Sequence, residues 1–132
     1  MSNKLRPIAQ SFVLCRDIIQ DRHSPATLLI NPLRSMNLPA FPATVTIFLF
    51  IQLTGVHGLH RLSIQLHDAA GTVLVEVPGP KTEGMIDPVA YYQLYWRDLR
   101  LKFPRPGHYA LVLLAGGEEI GRHALELALT VS

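Results

Sequence analysis

Phe103-Pro-Arg-Pro-Gly-His-Tyr-Ala-Leu-Val-Leu-Leu-Ala-Gly-Gly-Glu-Glu-Ile-Gly-Arg-His-Ala-Leu-Glu-Leu-Ala-Leu129 decides the fold class. Pro106-Gly107 breaks regular structure, and the residues after it alternate, with Tyr109, Leu111 and Leu113 on one face. Gly116-Gly117 supplies a two-residue turn, after which Leu125, Leu127 and Leu129 fall together again. Two alternating runs about a Gly-Gly pair predict a β-hairpin. The same period of two recurs at Leu62, Ile64 and Leu66 against Arg61, Ser63 and Gln65, and at Leu99, Leu101 and Phe103 against Arg100 and Lys102. A core drawn from Leu62, Ile64, Leu66, Tyr109, Leu111, Leu113, Leu125 and Leu127 follows.

Working outward, Ser11–Ile19, Thr27–Ile30, Ala43–Leu53, Thr72–Val77 and Tyr91–Phe103 read as further strands, and no stretch holds a helical period. The expected architecture is all-β, an antiparallel two-sheet sandwich of about eight strands. The Pro-Gly-x-Tyr entry to the last hairpin resembles the ending of many immunoglobulin-like sandwiches, which implies that fold. Asn31-Pro32 and Asn37–Pro42 are expected to interrupt regular structure or to lie at a sheet edge, because proline cannot donate to a ladder. Pro78-Gly-Pro80 is expected to open a polar connection. Residues 1–9 read as a flexible arm and 10–132 as a single sandwich domain.

With 132 residues, 48% hydrophobic and 17% charged, the chain excludes disorder and carries more apolar surface than one sandwich interior absorbs. A formal charge of +2 is too small to attract nucleic acid. Cys15 is the only cysteine, so no internal disulfide forms and a reducing compartment fits. The apolar run near the N-terminus stops at Arg16, short of a secretion signal. Val45–Leu53 is about half the ~20 residues that a membrane helix needs. The expectation is a cytoplasmic protein without a membrane partner.

Phe41-Pro-Ala-Thr44 before the apolar strand, Leu53-Thr-Gly55, Asp68-Ala-Ala-Gly71 and Pro104-x-Pro-Gly-x-Tyr109, in that order, resemble a family of small uncharacterised bacterial β-sandwich proteins, a domain of unknown function. The likeness spans roughly residues 12–129. Members usually carry Asp directly after the early Cys and a Gly-Lys pair in the next turn. Here Cys15 is followed by Arg16 and Asp17, and the turn reads Arg22-His-Ser-Pro25, so those positions carry nothing over. The resemblance implies the fold and no activity, cofactor or ligand.

The residues that bear chemistry are scattered. His57, His60 and His67 form the closest histidine group, but zinc needs three or four converging ligands, and His60 and His67, seven apart on one strand, point to opposite faces. Cys15 lies inside a strand, and none of Ser11, Ser24, Ser35 and Ser63 sits in a Gly-x-Ser-x-Gly elbow. Glu118-Glu119 is the one adjacent acidic pair and lies in a turn, while Asp21, Asp68 and Asp87 stand alone in their loops. No catalytic residue, metal or cofactor is expected, and the protein reads as no enzyme.

Surface features point elsewhere. Phe48 and Phe50 oppose Val45, Ile47, Leu49 and Ile51 on one strand, and Leu74 and Val112 also fall on outward faces. Burying such side chains against a partner gains about 1–3 kcal/mol each before the costs of association, so a two-fold homodimer is expected. Tyr91, Tyr92, Tyr95 and Trp96 form an aromatic cluster suited to anchoring a protein. Arg97, Arg100, Lys102 and Arg105 form a basic one, either a contact for a phosphate or an acidic partner or a charged strand that blocks edge pairing. A non-enzymatic protein-interaction or assembly module is the leading expectation. The alternative is a small-ligand or carbohydrate binder built on Tyr91–Trp96.

Overall fold

A computed structural model describes residues 7–20, 27–32, 34–54, 60–81 and 92–130, with the backbone alone for 8, 10, 16–20, 27–32, 80, 81 and 92. It contains β1 (Ile8–Gln20), β2 (Thr27–Pro32), β3 (Ser35–Leu38), β4 (Ala43–Thr54), β5 (Arg61–His67), β6 (Val73–Lys81), β7 (Tyr92–Phe103), β8 (Gly107–Ala115) and β9 (Glu118–Leu129), and no helix among the described residues. One sheet runs β2-β1-β4-β7 and the other β3-β9-β8-β5-β6. Their inner faces meet in one core that takes Leu14, Ile47, Leu49, Ile51, Leu53, Leu99, Leu101 and Phe103 from the first sheet. The second sheet adds Met36 and all eight residues expected from the alternation. This is the arrangement that period-two strands adopt to hide one face each.

Turn chemistry sets the registers. The Asp68 carboxylate accepts hydrogen bonds from the amides of Ala70 (3.0 Å) and Thr72 (2.9 Å), and Gly71 takes a φ of 84° that a Cβ disfavours. Gly116 and Gly117, at φ 59° and 85°, form the two-residue turn whose twist matches a hairpin. Tyr109 enters β8 with its hydroxyl donating to the Arg105 carbonyl, which ties the strand to the corner before it. Tyr109→Phe is expected to lower stability by about 1 kcal/mol, read as a fall in the urea midpoint. An unchanged midpoint would show the bond to be fully replaced by water.

Three expectations need correction. The sandwich is not wholly antiparallel, because β3 pairs parallel with β9, from Ser35 opposite Glu126 to Leu38 opposite Leu129. Asn37 and Leu38 thus lie at a sheet edge, one of the two places expected for Asn37–Pro42, with β3 held by Glu126 N–H to the Arg34 carbonyl (2.9 Å) and Thr130 N–H to the Leu38 carbonyl (2.8 Å). Pro78-Gly79-Pro80 lies inside β6 rather than beginning a connection. As the outermost strand of its sheet, β6 loses nothing on its free edge when an N–H is missing. The arm assigned to residues 1–9 ends sooner, since β1 begins at Ile8, opposite Thr54.

β7 changes parity midway. Leu49 pairs with Trp96 and Ile47 with Leu99, so Arg97 and Asp98 together face Phe48, with Asp98 at a φ of 57°. This bulge lets Leu94 and Trp96 turn inward before it and Leu99, Leu101 and Phe103 after it.

Candidate functional site

Among the described residues, β7 and β6 are the outermost strands of the two sheets on one flank. Trp96 joins the two edges. Its ring lies so close to β6 that a Cβ built on Gly79 would stand 2.6 Å from Cη2 and 2.7 Å from Cζ3. On one side of this contact is a groove of about 260 Å³ lined by Pro78, Gly79, Leu94, Tyr95, Trp96 and Arg97. On the other, toward the opposite end of β6, is a larger open groove of about 380 Å³ between Leu74 and Val75 of β6 and Arg100, Lys102 and Pro104 of β7.

Val75 is the informative residue in that larger groove. It pairs with Leu66, whose side chain is wholly buried, and so belongs to the core-facing side of its sheet, yet it is 38% exposed. Leu74 and Val73 beside it are 39% and 48% exposed. A core-facing valine open to solvent marks a flank where the described strands leave the sandwich interior partly uncovered. Above it, Arg100 and Lys102 project from the exposed face of β7, and among the described residues no carboxylate pairs with either. The ion pair of Arg122 with Glu119 (2.8 Å) lies on β9, three strands from β6, where the hydrogen bond from Arg122 holds the Glu119 carboxyl below its ordinary value.

The residues singled out in the sequence are only partly brought together. Of the basic four, Arg97, Arg100 and Lys102 line the two grooves of this flank, whereas Arg105 sits around the corner beside Asp68 and His108. The aromatic cluster divides: Trp96 packs against the core, and Tyr95 lies on the opposite face of β7 against Phe50, with ring centroids 5.7 Å apart. Their rings share no stacking face. Tyr91 and the Tyr92 side chain lie outside the described residues.

Phe50 is not the open contact residue that the strand alternation predicts. With Cys15, Phe48 and Tyr95 it forms a small cluster on the outer face of its sheet and is only 8% exposed, while Val112, also outward, is 1% exposed. The outward apolar surface is thus largely covered within the chain at both places. Of the outward residues Phe48, Phe50, Leu74 and Val112, only Leu74 is exposed.

Potential nucleophiles and ligands are occupied or apart. Cys15 is fully buried, its thiol 3.6 Å from the Phe48 carbonyl, and the Ser11 hydroxyl donates to Gln52 at 3.5 Å. His67 shares a 2.8 Å hydrogen bond with Gln65, and His60 is buried. His57, Ser24, Asp21 and Asp87 lie outside the described residues. Among the described residues no three His, Cys, Asp or Glu side chains converge as metal ligands would, and no helix is long and apolar enough to cross a membrane.

The β6 groove was not legible before the fold was known, since Leu74 and Arg100 stand twenty-six positions apart. No curated protein matches the chain. The model of a family of unknown function, DUF6941, matches residues 10–128, nearly the whole length, and the chain belongs to that family.

Proposed function

We propose that this protein is a non-enzymatic interaction module whose contact surface is the β6–β7 flank. The observation that carries the reading is Val75, a core-facing side chain left open beside a strand edge that no other described strand pairs with, and next to Arg100 and Lys102. Exposed edges are hazards that proteins usually blunt with charge or proline. β6 carries its prolines only at positions 78 and 80, leaving Val73–Val77 usable. The fold reading that goes with it is immunoglobulin-like, supported by the parallel pairing of an early short strand with the last one and by the Tyr109 corner. The lone buried thiol fits a cytoplasmic setting.

The test is affinity capture from native lysate by the tagged protein and by its Val75→Lys variant, with circular dichroism to verify that the variant folds. A partner retained by the wild type and lost by Val75→Lys is the expected result. Partners held equally by both would remove the flank from the reading.

A further inference from the structure

We infer that the β6–β7 flank takes an extended acidic segment of another protein, added as a sixth strand to the edge of β6. This rests on the flank being the contact surface and names its occupant. Three observations converge. The outer edge of β6 has no strand beside it among the described residues, so its amides and carbonyls are available to a sixth strand. Pro78 and Pro80 end the pairing, which limits the usable edge to Val73–Val77, about five residues or ~17 Å of extended chain. The groove beside this edge is lined by the apolar Leu74 and Val75 of β6 and by the basic Arg100 and Lys102 of β7.

A strand laid along β6 turns alternate side chains to opposite faces. Those facing outward lie beside Leu74, and want to be aliphatic. Those facing the core side look past Val75 toward β7, so carboxylates there meet Arg100 and Lys102 of the groove, where no carboxylate of the described chain competes with them. Glu76, the acidic residue of β6 itself, is engaged by Gln65 at 2.9 Å. A second copy of this chain is the weaker fit: pairing β6 with β6 about a two-fold axis brings each copy's Arg100 and Lys102 to the same seam, so like charge meets like.

The test is fluorescence anisotropy with a dye-labelled peptide of alternating Glu and Val, its Lys-for-Glu counterpart, and a version N-methylated at alternate amides. The full-length protein and its Arg100→Glu/Lys102→Glu and Val75→Lys variants are compared with light scattering on each. The acidic peptide is expected to bind, to weaken tenfold or more on charge reversal and with added salt, and to be lost on N-methylation and in Val75→Lys. Equal binding of the Lys peptide, or indifference to charge reversal, overturns the acidic occupant. If in addition Val75→Lys leaves every captured partner in place, the flank itself falls as the contact surface. A mass twice 14.7 kDa that Val75→Lys halves would replace the acidic segment by a second copy of the chain.

Discussion

Phe103→Ala is expected to remove about 3–5 kcal/mol of stability, the cost of truncating a fully buried aromatic ring. Phe103 ends β7, opposite Ala43 of β4, at the point where the chain leaves one sheet for the other. Its ring meets that of Tyr109 edge to face, with centroids 5.0 Å apart and planes at 79°. Truncation therefore leaves a cavity and also frees the ring that closes the corner. Domains of this size hold about 5–15 kcal/mol in all, so the variant retains little margin. Urea unfolding should show a midpoint lowered by about 2 M at an unchanged slope, taking a slope of ~2 kcal/mol/M. A shift below about 0.5 M would mean that the surrounding side chains refill the space.

Gly79→Val is expected to cost about 1–3 kcal/mol by overpacking. The added Cβ meets two Trp96 ring atoms at 2.6 and 2.7 Å, and the Leu62 carbonyl oxygen at 3.0 Å. The ring can swing away, but the backbone carbonyl can retreat only if β5 and β6 part. Trp96 is the only tryptophan, so the fluorescence of the protein reports on this contact directly. Emission should shift to the red as the ring moves toward water. Trp96→Phe, a smaller ring, should recover part of the loss in the double variant, a coupling that independent sites do not show. An unchanged spectrum with unchanged stability would remove Trp96 from the seam.

How legible these features were depends on the range of the interactions behind them. β5 and the β8–β9 hairpin were readable because Leu62, Ile64, Leu66 and the residues about Gly116-Gly117 carry period and turn signals within a few positions. β3 was not. Ser35-Met-Asn-Leu38 is short, ends at Pro39 and takes its partner from residues 126–129, so nothing local marks it as strand. Pro78 and Pro80 misled for a physical reason: proline is a breaker only where its missing N–H matters, and a free edge does not need it. The aromatic run at Tyr95-Trp96 was visible as a cluster. Which ring went inward depended on the bulge at Arg97-Asp98 and on Gly79, seventeen residues away.

The place of β9 between β3 and β8 bears on how the protein is made. During synthesis β3 leaves the ribosome early, but its neighbour in the sheet is the last strand to appear. Until residues 118–129 emerge, β3 has nothing to pair with, one side of β8 stays open, and the core lacks Leu125 and Leu127. A nascent chain halted before Glu118 therefore holds most of its apolar residues without the means to enclose them. Such chains depend on chaperones more than finished ones do, and closure of this domain has to wait for translation of its final strand.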